Sequence, residues 1–598
     1  MGGGAEYGKF SLSRRWLSLC LRSCAIPAFV WAIGLTVSTA NAAISARCKK
    51  TFKTAELVFS ASATGDVTAL PPVNARCAAP TLPPTYYLRV VHTGKKTDAC
   101  LNTSTASTVE KVVKFGYQCS NPAGCSTGSK MVLSGTEIAA NAAGQTSSTQ
   151  DLTLKFEANG SAPFTFDYFN DAGNVTLLAT LPAKNALASD LSAETSFVVA
   201  PDHFALSGIP AAPLTAGDPF NVTVTAQNAC NATTPNFGAE SSPAVVTLSS
   251  SNPLPAQGNA VNISTEFHNF KRGVASTTSS WGEVGTIDLT ATTMNYLGSG
   301  LAISAPPTTV GRFRPAYFEV TDLTPGCGSV FTYSGQEFRS ATVKAKEAGG
   351  AVTKNHDASY LALLTTPLET DRPKVVTLSE TSEAAGILFG ATIAQTQFSA
   401  GVASPSLSFR FSAKLTAPTQ IALRATGDAL NTNAPSYSPS HALIRSGRLV
   451  LFSAAGSEKS ELLLPVQTQF WSGKDWVINS DDSCTVLPAD SFALTGDLAK
   501  NTWVSTRVEL SAGLANIRLK APAGGARGSV NVAANLGNRG SDNSCQSPHG
   551  GEAAQTLWLR WRNGSCTTPD ENRDPSARAT FGIYSPETRR AIYVQENF

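Results

Sequence analysis

Charge is scarce in this chain: Asp, Glu, Lys and Arg make up only 15% of its 598 residues, and the net charge is +3. Without a basic stripe or a Lys/Arg run there is no electrostatic footprint for nucleic acid. Histidine is equally thin, with His92, His203, His268, His356, His441 and His549 spread one per long interval. No Gly-x-Ser-x-Gly elbow, Walker loop, His-Glu-x-x-His or Gly-x-Gly-x-x-Gly follows a strand pattern, so no catalytic motif is legible. No Cys-x-x-Cys pair occurs, and only His549 lies close to a cysteine, Cys545, so no zinc ligand set can be composed. Helical periodicity of useful length is missing beyond the N-terminus, and no later stretch is apolar enough to span a bilayer as a helix. The expectation is a non-enzymatic protein with no cofactor, no metal and no transmembrane span in the mature chain.

What the chain does have begins with export. Arg14, Arg15 and Arg22 precede the apolar run Ala25 to Val37 and the small-residue tripeptide Ala40-Asn41-Ala42. This is the pattern of a secretory signal peptide over 1–42, with cleavage before Ala43. Cys20 and Cys24 would leave with it, so ten of the twelve cysteines reach an oxidising compartment. Spacing leaves their pairing open. Cys119 and Cys125 close a tight loop around Asn121-Pro122-Ala123-Gly124, Cys545 and Cys566 flank one segment, and Cys48, Cys77 and Cys100 share the N-terminal region. Cys230, Cys327 and Cys484 are scattered.

Two stretches then repeat each other. Val199-Ala200-Pro201-Asp202-His203-Phe204-Ala205-Leu206 is answered by Phe313-Arg314-Pro315-Ala316-Tyr317-Phe318-Glu319-Val320. Ala216-Gly217-Asp218-Pro219-Phe220 is answered by Ser334-Gly335-Gln336-Glu337-Phe338, and Thr234-Pro235-Asn236-Phe237 by Thr353-Lys354-Asn355-His356. A period this long fits one immunoglobulin-like sandwich per repeat. Tyr317 at the position of His203 argues that the site serves packing, because Tyr cannot replace a general base. Alternation at Leu152, Leu154, Phe156 and Ala158, at Phe164, Phe166 and Tyr168, at Phe220, Val222, Val224 and Ala226, and at Leu407, Phe409 and Phe411 marks antiparallel strands with one buried face. The fold class is therefore all-β: tandem immunoglobulin-like β-sandwich domains, disulfide-containing, after a signal peptide. The expected divisions are a Cys-rich β domain over 43–198, sandwich repeats over 199–312 and 313–445, and a Trp-rich β domain over 446–598. The repeats abut directly, which predicts a semi-rigid array without flexible linkers.

Trp471, Trp476, Trp503, Trp558 and Trp561 crowd into the last domain. Such aromatics serve core and sheet-face packing more often than a sugar platform. Asp481-Asp482 and Asp570-Glu571-Asn572-Arg573-Asp574 could offer oxygens to Ca²⁺ or a carboxylate pair to a glycosidase. Solvated loops and Asx-turns are the commoner use of such runs.

The last third carries longer patterns. Ser446-Gly447-Arg448-Leu449, Ser460-Glu461-Leu462 with Leu464-Pro465-Val466, Phe470-Trp471, Trp476-Val477-Ile478-Asn479 and Asp481-Asp482-Ser483-Cys484-Thr485 resemble the C-terminal region of MshQ-like proteins of the mannose-sensitive haemagglutinin (MSHA) pilus system. So do Asp574-Pro575-Ser576-Ala577-Arg578-Ala579-Thr580-Phe581-Gly582-Ile583-Tyr584 and, upstream, Arg312-Phe313-Arg314-Pro315 with Phe331-Thr332-Tyr333. The resemblance implies an exported component of a type IV pilus system, acting in assembly or surface adhesion. Its implied location is the periplasm or cell surface of a Gram-negative-type bacterium, and its implied partners are pilus or cell-envelope proteins and surface glycans. Two departures stand out: 44–198 is too short and Cys-rich for the lectin-like sandwich of longer relatives, and Arg562-Asn563-Gly564-Ser565-Cys566 replaces a usually acidic stretch. A carbohydrate-binding or glycan-active protein using the Trp-rich domain is the alternative.

Overall fold

Two-residue alternation in the sequence becomes strand structure in a computed structural model of the chain, which describes residues 55–92, 108–142, 144–183, 189–255, 262–365, 374–428, 439–537, 554–561 and 574–583. Along Pro219–Gln227 the side chains of Phe220, Val222, Val224 and Ala226 are buried while Asn221 faces out. Leu407, Phe409 and Phe411 are buried in the same manner. Each large apolar side chain so buried contributes roughly 1.5–3 kcal/mol, and a one-residue slip would expose the whole set, which fixes the register. Among the described residues helical structure is confined to short 3-10 turns, and no helix there is long and apolar enough to cross a membrane. The segment 1–42, expected to be a signal peptide, lies outside the described residues.

One alternation breaks for a local reason. Phe164 and Phe166 are buried as expected, but Phe169 rather than Tyr168 enters the core next. The register against Met131–Leu133 shifts between Tyr168 and Phe166, leaving Asp167 as an extra residue. Its carboxylate accepts the Gly135 N–H (2.6 Å) and the Thr165 hydroxyl (2.7 Å), which anchors the bulge.

The described residues fall into two compact units, one within 1–71, 78–169 and 174–197, the other within 72–77, 170–173 and 198–598. In the first unit one sheet runs in the order Ala55–Ser60, Thr85–His92, Ser161–Phe169, Met131–Leu133, Thr136–Ile138. In the other, Thr108–Asn121 pairs with both Gln150–Glu157 and Gly173–Leu181. Phe59, Phe115 and Phe164 meet between the sheets with ring centroids 5.7–6.3 Å apart. Arg89 is fully buried there, and its guanidinium donates to the Gly65 carbonyl at 2.7 Å and the Asp66 carbonyl at 3.3 Å.

The second unit holds three successive sandwiches with one plan. Each opens with a strand antiparallel to the next long one: His203–Ser207 with Pro219–Gln227, Tyr317–Thr324 with Ser340–Lys346, and Gly447–Leu451 with Leu462–Trp471. Each then sends a very short strand across to lie parallel to its closing strand: Leu214–Thr215 with Thr308–Arg314, Thr332–Tyr333 with Ser440–Arg445, and Ala454–Gly456 with Ser576–Phe581. This change of sheet by the first strand is how an immunoglobulin-like sandwich closes both its sheets. The sequence repeat is repeated structure: the Ala216 N–H donates to the Arg314 carbonyl and the Ser334 N–H to that of Arg445, both at 2.8 Å.

Linkers between the sandwiches are nearly absent. Only Pro315-Ala316 separates Thr308–Arg314 from Tyr317–Thr324, and only Ser446 separates Ser440–Arg445 from Gly447–Leu451. The closing strand of one sandwich therefore delivers side chains straight into the boundary with the next.

Candidate functional site

The densest polar chemistry of the second unit lies where sandwiches meet. At the boundary of the first and second, the closing strand Thr308–Arg314 carries Arg312 and Arg314 into a space where both are buried. Asp428, from the second sandwich, receives a two-pronged pair from Arg312, whose Nη2 to Oδ1 contact is 3.2 Å, and lies 3.6 Å from Arg314 Nε. Arg312 also donates to the Tyr360 hydroxyl, which in turn donates to the Phe313 carbonyl at 3.1 Å. Burial and the Asp428 charge push the Tyr360 phenol far above its ordinary value, so it stays neutral.

Beside this network sits His356, fully buried among Phe318, Tyr360 and Phe398 at centroid distances of 4.8–5.3 Å. Neither ring nitrogen has a hydrogen-bond partner. Burial, aided by the Arg312 charge, pushes its pKa down to about 3, so it is neutral at physiological pH.

The turn that holds His356 is latched from the preceding sandwich. Buried Glu283 accepts the N–H groups of Lys354 (2.9 Å) and Asn355 (3.0 Å). The equivalent turn, Thr234-Pro235-Asn236-Phe237, receives Asp171, whose Oδ1 accepts the Asn236 N–H at 3.0 Å. Pro235 has no N–H, so that turn cannot offer the second donor that Lys354 supplies.

At the boundary of the second and third sandwiches, Tyr333 is buried with its hydroxyl donating to Asp482 Oδ2 (2.8 Å) and accepting from Asn479 Nδ2 (2.6 Å). Asp482 also takes the Thr485 N–H (3.0 Å) and hydroxyl (2.8 Å). Arg445 donates to Asn479 Oδ1 and Asp481 Oδ2, each at 2.7 Å, with its guanidinium 4.7 Å from the ring centroids of both Phe331 and Phe470. The Cys327–Cys484 disulfide closes the same boundary. Cys327, Asp482 and Cys484 put three potential ligand atoms within 4.8 Å of one another. The two sulfurs are joined and the carboxylate is occupied, so the group has no free ligand set for a cation.

The tryptophans of the last domain make neither a sealed core nor a sugar platform. Trp471, Trp476, Trp558 and Trp561 are half-buried and Trp503 is exposed. Trp471 and Trp476 are inclined at 65°, Trp476 and Trp561 at 42°, and the Arg448 guanidinium lies 4.4 Å from the Trp476 centroid. Coplanar open rings would serve stacking on a glycan; here Arg448 covers a ring face itself. Asp574 is buried and paired with Arg560 at 2.7 Å, while Asp570 lies outside the described residues. With Asp481 and Asp482 engaged as well, the proposed Ca²⁺ and glycosidase carboxylates are structural among the described residues.

Models of four successive domains of one family match the chain. The domain of unknown function DUF6701, described as a first Ig-like domain, matches 36–194, and its second, third and fourth domains match 200–280, 283–440 and 445–597. The chain belongs to the DUF6701 family. No curated protein sequence matches it. Among solved structures, the Escherichia coli adhesin FdeC is 14% identical, covering 65% of this chain and 96% of that one at a TM-score of 0.22. The bacterial integrin-binding protein invasin is 12% identical, covering 81% and 76% at 0.26. The titin domains I67–I69 are also 12% identical, covering 66% and 96% at 0.26. The expected all-β, tandem immunoglobulin-like fold is what this DUF6701 chain has.

The residues singled out from sequence land as follows. Cys119 and Cys125 are joined to each other, and Cys77 is joined to Cys230; Cys48, Cys545 and Cys566 lie outside the described residues. His203 is not a packing residue: it is half-buried, with ring nitrogens 3.1 Å from Asp202 Oδ2 and from Gln227 Oε1. Strand alternation turns Phe204 and Phe318 into their cores; His203, in the opposite phase, is held by polar partners, whereas Tyr317 in that same phase is buried. Sequence reasoning missed Glu283, His356, Tyr360 and Asp428 as a group. It did single out, as family patterns, Arg312 to Arg314, Tyr333, Asn479 and Asp481 to Thr485, and these prove to be boundary residues.

Proposed function

We propose that this chain is an exported, non-catalytic protein of the cell surface or periplasm that supports a type IV pilus of the MSHA class, in its assembly or in pilus-mediated adhesion. The carrying observation is where its most distinctive residues are placed. Arg312, Arg314, Tyr333, Asn479 and Asp482 belong to the patterns shared with MshQ-like proteins, and they lock consecutive sandwiches together rather than line a cleft. Buried charge and hydrogen bonds committed to boundaries suit a protein that holds a position and transmits load. We further propose the division 1–42, 43–198, 199–312, 313–445 and 446–598, supported by closing strands that end at Ala200, Arg314 and Arg445. Partners of such a protein are pilus and envelope components. Deleting the gene and counting surface pili alongside attachment tests the reading. Fewer pili assigns assembly, normal pili with weak attachment assigns adhesion, and unchanged values of both refute the proposal.

A further inference from the structure

Two of the three described disulfides are long-range. Cys77 is joined to Cys230 across a sequence separation of 153, and Cys327 to Cys484 across 157. The two loops follow one another without overlapping. A pull on the chain ends therefore passes from Cys77 directly to Cys230, along 231–326, and from Cys327 directly to Cys484. Residues 78–229 and 328–483 lie off this covalent path, and once a sandwich opens they stay slack while the bonds are intact.

We propose that the two disulfides form a tension bypass, which shields the second sandwich and the strands of the first unit that follow Cys77 and directs load through 231–326 and the segment after Cys484. The placement of core residues makes the division sharp. In the second sandwich, Phe338, Val343, Val376, Leu378, Ile421 and Ile444 all lie inside the second loop, and of its strands only Tyr317–Thr324 lies outside. In the first sandwich the core is split: Phe204, Phe220, Val222 and Val224 are shielded, while Val246, Trp281, Leu289 and Phe313 are on the loaded path. That path must cross the boundary between the first two sandwiches, where among the described residues no disulfide holds, but non-covalent contacts do: those of Arg312, Asp428, Tyr360 and Glu283, the Ala348 N–H to Ala216 carbonyl bond, and the packing of Ala216 and Val284 with Tyr360. Load is thus concentrated on a non-covalent, reversible boundary.

The two bonds also differ in access. Cys77 and Cys230 are exposed, whereas Cys327 is buried and Cys484 half-buried. A reductant reaches the first pair in the folded chain and the second only after the last domain has opened.

Single-molecule stretching of the full mature chain, tethered at both ends, tests this independently of any pilus role. A chain unrelated to pili would still show the bypass. A fully extended chain gains at most ~3.5 Å per residue, so opening the first loop adds about 53 nm and the second about 55 nm. Without reductant both increments are missing from the total contour length; with a phosphine reductant both are present, the second only after the last domain unfolds. The paired variants Cys77→Ser with Cys230→Ser, and Cys327→Ser with Cys484→Ser, each restore only their own increment. Should a variant fail to fold, reduction of the wild-type chain held at constant force gives the same two steps. An equal contour length with and without reductant, or a single increment, overturns the proposal.

Discussion

Replacing His356 by Phe converts the second sandwich to what the first already has, since Phe237 occupies the matching turn position. The imidazole is fully buried with neither nitrogen bonded, and its folded pKa of about 3 lies far below the ordinary 6.5. Below pH 6.5 the unfolded chain therefore binds a proton that the folded chain refuses, and stability falls as pH falls, down to about pH 3. One pH unit of this window is worth about 1.4 kcal/mol, so between pH 7.5 and 4.5 the wild type loses about 3 kcal/mol through this residue alone. The charged neighbours Arg312 and Asp428 are present in both proteins and cancel in the comparison. Denaturant melts of the wild-type chain and of H356F at the two pH values measure the difference. At pH 7.5 the variant should equal or exceed the wild type, because two unsatisfied nitrogens are removed, and at pH 4.5 its advantage should grow by about a hundredfold in the unfolding constant. A difference between the two proteins that does not change with pH would refute the reasoning.

Asp428→Ala leaves Arg312 and Arg314 buried without their shared carboxylate and should cost about 3–5 kcal/mol, read as a lowered melting midpoint. Tyr333→Phe removes the donor to Asp482 and the acceptor for Asn479, with an expected loss of about 1–3 kcal/mol; an unchanged midpoint would show the boundary to be wet. Gly447→Ala places a Cβ 2.3 Å from Tyr333 Cδ1 and should destabilise by about 1–3 kcal/mol through overpacking; pairing it with Tyr333→Ala should recover part of that loss.

Strands and the repeat were legible because they rest on local order. Phe220, Val222, Val224 and Ala226 announce a buried face through spacing alone, and the Thr-x-Asn turn shows itself by recurring. The boundaries were not legible as such, because their partners are far apart in the chain: Arg312 and Asp428 by 116 residues, Tyr333 and Asp482 by 149. No periodicity connects such pairs. Cys77 pairing with Cys230 escaped for the same reason, since spacing pointed only to the short Cys119 to Cys125 loop and to Cys545 with Cys566, which lie outside the described residues. Tyr168 and His203 went astray differently. A bulge at Asp167 changes which residue points inward, and His203, paired with Asp202 and Gln227, stays half-buried where its repeat partner Tyr317 in the same strand phase is buried.

The short crossing strand of the second sandwich has a practical consequence for dissection. Cys327, Phe331 and Tyr333 precede the third sandwich by more than a hundred residues, yet they belong to its hydrophobic core alongside Leu449, Leu464 and Ile517. A fragment cut at Ser446 would therefore begin with a hole in its own interior and leave two aromatic rings stranded on the other piece. Excision points that follow chain order would sever what folding has joined, and a viable C-terminal fragment must begin before Cys327.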